Sequence, residues 1–205
     1  RKGMGLQETT LPTYILEDLI KEGVYDQGIF KAVFLMGGPG SGKTTIVKAL
    51  SLKALGLKLV NTDAAFENGL KKAGLSLDLR SLDAQLRDPI RAKAKQLVAK
   101  GLDGYIQGRL GLIFDTTSAK KNKIEAYKKL LDTLGYEYKM IYVNTSLENA
   151  QNRNLERPRK IPPAIVEKDW IMAQKHSQDY QRMFGKDFVE VKNDDTLPAL
   201  AKKAN

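Results

Sequence analysis

The sequence predicts an α/β fold in three layers: a mainly parallel five-stranded sheet between helices, with a helical insertion. Three observations lead there. Short apolar runs recur along the chain, AVFLM at Ala32 to Met36 being the purest, and an unbroken apolar run suits a strand buried on both faces. Between these runs lie stretches whose apolar residues repeat at helical spacing. Strands and helices therefore alternate, the order that builds a parallel sheet covered on both sides.

Leu11 to Glu22 reads as a short amphipathic helix, with Leu11, Ile15, Leu19 and Ile20 at helical spacing and Gly23 where a helix would stop. Ala32 to Met36 is the first strand. A glycine-rich turn follows, then a helix from Thr44 to Leu55 ended by Gly56. Leu57 to Val60 is the second strand and runs into Asn61-Thr62-Asp63. From Ala64 to Gly101 the pattern is helical, with breaks expected near Gly69, Gly74 and Pro89. That stretch is too long for a simple crossover and reads as an insertion. Leu110 to Phe114 (LGLIF) is the third strand, ending on Asp115. Ala119 to Leu134 is a lysine-rich helix closed by Gly135, and Tyr138 to Val143 is the fourth strand. Thr145-Ser146-Leu147-Glu148 has the capping-box form and opens a helix that Pro158 limits. Ile161-Pro162-Pro163 is an extended joint, Ala164 to Met183 another helix, Phe188 to Val191 the fifth strand, and a short C-terminal helix closes the chain.

Composition narrows the classes. At 205 residues, one compact domain is expected. The chain is 42% hydrophobic and 28% charged, with no run of about 18 apolar residues, so no transmembrane helix or membrane partner is expected. Arg1, Lys2, Gly3 and Met4 have no long apolar stretch behind them and do not read as a secretory signal. The chain lacks cysteine, which excludes disulfides and cysteine zinc sites and makes a reducing cytoplasm the expected compartment. A single histidine excludes multi-histidine metal sites. The formal charge of +10 favours anionic partners (nucleotides, sugar phosphates, nucleic acid) or serves solubility alone.

The strongest motif is Gly37-Gly38-Pro39-Gly40-Ser41-Gly42-Lys43-Thr44, which meets G-x-x-x-x-G-K-[ST] at every fixed position, after a strand and before a helix. Such a loop turns several amide N–H groups inward on one anion, and the helix N-terminus adds partial positive charge. Gly38, Pro39, Gly40, Ser41, Gly42, Lys43, Thr44 and Thr45 are the candidate nucleotide-binding residues. Lys43 is expected to reach the outer phosphates and the Thr44 hydroxyl to ligate Mg2+. The fold expected is thus that of a P-loop NTPase, with ATP the nucleotide.

Ligands of such sheets sit beyond the carboxyl ends of the strands. Asp115 stands there after Leu112-Ile113-Phe114, suited to support Mg2+ directly or through water, and Asp63 follows the second strand, suited to act as a general base. Helix N-capping is the plainer role for either carboxylate. Asn149, Arg153 and Arg157 are spaced four apart, and Arg159 and Lys160 extend the charge. Arginines so placed suit the charge that phosphoryl transfer spreads over equatorial oxygens; a solvated face with Glu148 and Glu156 as partners is the plainer alternative. His176 reads as structural, Trp170 as packed in the core or under the basic helix, and Tyr105, Gln107 and Arg109 as residues facing a second substrate.

The order GGPGSGKTT, VNTD, LIFDTT and RNLERPRKIP resembles the kinase fold of polynucleotide 5′-hydroxyl kinases and of the zeta-toxin family, and is most similar to the zeta-toxin-like kinases of tailed bacteriophages, over roughly residues 30 to 192. The resemblance implies a base at Asp63, an acid at Asp115, and a lid carrying Arg153, Asn154, Arg157, Ile161 and Pro162. Length and pattern give a single domain over 1–205, with an N-terminal helical extension at 1–30 and a helical insertion at 64–109; the resemblance makes that insertion the acceptor side, adds a lid at 146–165, and implies a host cytoplasm if phage-encoded. Polynucleotide kinases place an arginine shortly after the base, whereas Ala64-Ala65-Phe66-Glu67 supplies none, and the acceptor residues of zeta toxins find no match in the insertion.

The expected activity is transfer of the γ-phosphoryl group of ATP, with Mg2+, to a hydroxyl of a nucleotide, polynucleotide or sugar nucleotide. Lys43, Asp63, Arg153 and Arg157 are the catalytic candidates; Thr44 and Asp115 are the metal candidates. A UDP-sugar kinase is the alternative acceptor reading, and a non-kinase ATPase or switch the alternative class. No Asn-Lys-x-Asp motif points to guanine, and no aromatic–basic RNA motif is present. Nothing in the sequence indicates an oligomeric state.

Overall fold

Strand β1 (Lys31–Met36) is buried along its whole length, as the unbroken apolar run requires of a central strand. The computed structural model describes residues 29–117 and 120–194. The helix expected at Leu11 to Glu22, most of the 1–30 extension, Ala119 and the C-terminal helix lie outside the described residues.

The other strands are β2 (Lys58–Val60), β3 (Leu112–Asp115), β4 (Glu137–Asn144) and β5 (Phe188–Lys192). All pair in parallel, in the order β2-β3-β1-β4-β5. The helices are α1 (Lys43–Ala49), α2 (Thr62–Lys72), α3 (Ala84–Gln107), α4 (Lys121–Leu134), α5 (Leu147–Glu156) and α6 (Pro163–Phe184). The expected five-stranded three-layer sheet is therefore present.

The period-2 alternation of β1 divides the core. Ala32, Phe34 and Met36 point to a cluster closed by Leu102 of α3, Ile124 and Leu131 of α4, and Tyr180 and Phe184 of α6. Val33 and Leu35 point to the opposite cluster, closed by Ile46 and Val47 of α1. A third, smaller cluster joins Phe66 and Leu70 of α2, Ala94 of α3, Ala150 of α5 and Val166 of α6. This cluster fastens α2 and α3 to α5 and α6, and the Leu79 N–H donates to the Lys160 carbonyl at 2.9 Å.

Several boundaries differ from expectation. Gly69 lies within α2 and Pro89 within α3, so only the turn at Gly74 breaks the inserted segment. Pro89 falls in the second turn of a long helix whose packing sustains it. Helix α3 continues past Gly101 to Gln107 and carries the chain away from the loop. The Arg109 carbonyl accepts from the Phe30 N–H at 3.2 Å, beside the amino end of β1. Tyr105, Gln107 and Arg109 are thus at the wrong end of the sheet to face a second substrate. The cap of α5 is Ser146, whose Oγ accepts from the Asn149 N–H, rather than the Thr145–Glu148 box.

Candidate active site

The strand order reverses direction beside β1, and the carboxyl ends of all five strands lie along one edge of the sheet. The loop from Gly37 to Gly42 leaves β1 there and Asn61 leaves β2; Asp115 ends β3, Thr145 follows β4 and Asn193 follows β5. A cavity of about 1000 Å³ opens over this edge, and Gly40, Lys43, Thr44, Asp63, Asp115 and Arg157 are among its lining residues.

The loop's shape depends on glycine at two positions. Gly40 has φ 83, and a Cβ there would lie 2.2 Å from the Ala150 carbonyl oxygen of α5. Gly42 has φ 98, caps α1, and would meet the Asn193 amide at 2.1 Å. Both glycines let neighbouring elements touch the loop backbone. Asn193 Nδ2 donates to the Ser41 carbonyl at 2.7 Å, and the Asn193 carbonyl accepts from Thr145 Oγ1 and Arg153 Nη2. Asn193 is a support that the sequence reading missed; its signal was a polar residue directly after the last strand.

Lys43 Nζ donates to the carbonyls of Gly37 and Gly38 at 2.8 and 3.0 Å. The side chain is half-exposed as a whole, but the loop encloses its ammonium. Burial lowers its proton affinity; Asp115 and then Asp63 oppose this, while Arg157 and Arg159 add to it. Four charges from three stretches of the sequence thus converge on one lysine.

Asn61 takes the N-cap of α2, accepting from the Asp63 and Ala64 amides at 2.6 and 3.4 Å. It also donates from Nδ2 to Asp115 Oδ2 at 2.6 Å. The capping role weighed for Asp63 therefore belongs to Asn61. Asp115 does not cap either, since α4 begins at Lys121.

Asp63 is held instead by Arg159, whose Nη2 donates to Oδ2 at 2.8 Å, leaving Oδ1 without a hydrogen bond among the described residues. The same guanidinium lies 2.7 Å from Glu67, one turn along α2. The sequence reading treated Arg159 as a trailing charge, because nothing local marks a contact made across 96 residues.

The arginine stripe is broken. Helix α5 ends at Glu156, and Arg157 is extended (φ −84, ψ 154), as a residue before proline prefers. Arg153 Nη1 donates weakly to the Gly40 carbonyl and to Thr145 Oγ1, both at 3.4 Å, bracing the loop. Arg157 Nη2 donates to Asn154 Oδ1 at 3.0 Å, and its Nε is buried with no hydrogen-bond partner among the described residues. Burial and the neighbouring Arg159 lower its proton affinity, though a guanidinium stays charged. A buried donor without an acceptor, in the wall of this cavity, fits an anion.

Asp169 of α6, absent from the sequence reading, is half-buried in the same wall. Trp170 packs its backbone against Gly38 and donates from Nε1 to the Thr145 carbonyl at 2.7 Å. His176 lies 3.8 Å from Asp179 and edge-on to Tyr180, remote from the cavity lining. No group of three or more His, Cys, Asp or Glu side chains is set to hold a metal among the described residues. A Mg2+ shared with phosphates needs no such group, and the Thr44 hydroxyl and Asp115 carboxylate are among the oxygen donors in the cavity lining that could hold it. No helix among the described residues is long and apolar enough to cross a membrane.

Fold and site together define a P-loop protein of the kinase-like class. A family model described as an AAA domain (AAA_33) matches residues 33–179, and the chain belongs to that family. No curated protein matches its sequence. Among solved structures it is similar to an AvrRxo1-ORF1:AvrRxo1-ORF2 complex with ATP, at 16% identity and a TM-score of 0.62, over 80% of this chain and 54% of that one. It is also similar to a putative kinase from Chloroflexus aurantiacus, at 18% identity and a TM-score of 0.56, over 85% and 97% of the two chains. A third similar structure belongs to the PezAT toxin–antitoxin system of Streptococcus pneumoniae, at 14% identity and a TM-score of 0.55, over 88% and 75%. The chain spans about half the length of the AvrRxo1 protein. At these identities the likeness is one of fold.

Proposed function

We propose that the protein is an ATP- and Mg2+-dependent kinase that phosphorylates a hydroxyl of a nucleotide, polynucleotide or sugar nucleotide. The observation that carries this is the meeting of Lys43, Asp63, Asp115 and Arg157 around one cavity at the carboxyl edge of the sheet. A nucleotide-binding switch needs the loop and the metal ligands, but has no need of a carboxylate held on the opposite wall.

The loop amides and Lys43 hold the β- and γ-phosphates. Thr44 and Asp115 would hold Mg2+, which would supply positive charge to offset that of the phosphates. An acceptor hydroxyl oxygen forms its bond to the γ-phosphorus as the bond to the β–γ bridging oxygen breaks. The acceptor proton passes to Asp63, and ADP leaves with the bridging electron pair. Arg157, in the wall of the cavity, brings its guanidinium charge to the equatorial oxygens, while Arg153 braces the loop through the Gly40 carbonyl. Arg159 orients Asp63 by holding Oδ2 and leaving Oδ1 for the proton.

The test is Asp63→Asn, assayed with γ-labelled ATP against nucleosides, 5′-hydroxyl oligonucleotides and UDP-sugars. Transfer should fall about 100- to 10,000-fold with ATP affinity nearly unchanged. Unimpaired transfer would remove the base, and phosphate release to water that is indifferent to Asp63 would make the protein an ATPase.

A further inference from the structure

The acceptor side of the cavity carries a charge pattern that the reaction chemistry does not use. Helix α2 places Asp63, Glu67 and Lys71 towards this side, and α3 adds Arg87, Asp88 and Arg91, with Phe66 buried beneath Arg91. The two helices are held closely together: a Cβ on Gly69 would come within 2.5 Å of Ile90 Cγ2. Arg91, next to Ile90, lays its guanidinium 4.5 Å from the centroid of the fully buried Phe66 ring. Phe66 is three residues beyond Asp63, so the two side chains lie on neighbouring positions of one helical face.

The carboxylates nearest the base are already matched. Arg159 takes both Asp63 and Glu67. Arg87 pairs with Asp88 beside it, a partly exposed contact that does little to neutralise either charge. Arg91 is half-buried and has neither hydrogen bond nor ion pair among the described residues. A guanidinium stacked on an aromatic ring keeps the N–H groups of its edge free, and that fork matches an oxyanion with two oxygens in plane. With Arg87 and Lys71 nearby, the wall suits a dianion better than a monoanion.

Resting on the kinase reading above, we propose that the acceptor carries a phosphate group close to its reacting hydroxyl, and that Arg91 binds that phosphate. Arg91 then sets acceptor specificity without taking part in the chemical step.

Binding and transfer are tested separately. Protein saturated with a non-hydrolysable ATP analogue and Mg2+ is titrated with methyl phosphate, and in parallel with acetate. Methyl phosphate should bind saturably and more tightly than acetate, and Arg91→Met should weaken it by about tenfold or more. The methionine keeps an apolar stem over Phe66, and unchanged affinity for the ATP analogue reports an intact fold. Absent or Arg91-independent binding of methyl phosphate, or acetate bound as tightly, overturns the proposal. In the second arm, γ-labelled ATP is offered with matched acceptors: a nucleoside against its monophosphate, and glucose against glucose 1-phosphate. Preference for the phosphorylated member, lost in Arg91→Met, supports the proposal. Equal transfer to both members overturns it while the kinase reading stands. Arg91-dependent binding without any transfer supports the phosphate site and counts against the kinase reading.

Discussion

Burial raises the carboxyl of Asp169 above its ordinary value of 3.8; Lys168 and then Lys43 pull it back, and Asp63 adds to the rise. A carboxyl raised on folding stabilises the native state fully only below its unfolded value, and that contribution is lost as pH rises through the folded value. At neutral pH the fold therefore bears a carboxylate that its surroundings disfavour. Asp169→Asn should stabilise the protein relative to wild type at pH 7, with the gain shrinking as pH falls towards 4. Urea unfolding of both proteins at the two pH values decides the matter, and a pH-independent difference would contradict it. A charge kept at a stability cost beside Lys43 and Asp63 belongs with other perturbed groups that gather at functional sites. The same residue shows what local sequence hides. Asp169 sits in a helix among Glu167 and Lys168, where a charge ordinarily marks a solvated face, and only the packing of α6 over the loop turns it inward.

Contacts between elements explain both what was legible in the sequence and what was not. The phosphate loop was readable because each of its residue types answers a local demand. The position of Asp115 was readable because the apolar run Leu112-Ile113-Phe114 marks the strand that ends on it. Arg159 and Arg91 act across elements and leave no local trace, and Asn193 leaves only its place directly after the last strand. The lid arginines were half-readable: their identities stood out, but Pro158 turns Arg157 off the helix and breaks the stripe that four-residue spacing implies. Gly69 and Pro89 were misread as breaks because tertiary packing overrode their poor helix propensity. Gly40 tests how far the loop depends on α5. An alanine there would adopt a left-handed conformation and drive its Cβ into the Ala150 carbonyl, which is backbone and cannot rotate aside. Gly40→Ala should cost about 2–4 kcal/mol from strain and overpacking together. It should also weaken nucleotide binding, because Arg153 and the loop shift with α5. Wild-type stability in urea would show that α5 is not fixed against the loop.

At the scale of the whole molecule, the strand order brings Gly40, Lys43, Asp63, Asp115, Arg157 and Asp169 to one edge of the sheet, although they are spread widely along the sequence. Alternating strands and helices made the sheet predictable, and the carboxyl-edge rule then made the site predictable without any knowledge of the acceptor. The unread part is the acceptor side, where α2 and α3 meet through a glycine, a phenylalanine and an arginine that have no fixed spacing. The donor side therefore supports a direct thermodynamic prediction. A nucleotide that binds only the folded chain stabilises it by mass action, by about 2.7 kcal/mol at a concentration one hundred times its Kd. For a domain of this size that corresponds to a rise in Tm of about 5–10 °C. ATP with Mg2+ should give this shift, ATP with a chelator a smaller one, and Lys43→Met should lose most of it, because the variant keeps the loop but not the ammonium among the phosphates. The alkaline side provides a further check. Burial already lowers the Lys43 ammonium below the ordinary 10.5, and phosphates binding beside it must raise it again. The shift should accordingly hold steady near neutrality and decline once the pH passes the lowered value, before an ordinary lysine would titrate. A shift in Lys43→Met equal to that of the wild type would mean that the loop is not where the nucleotide binds.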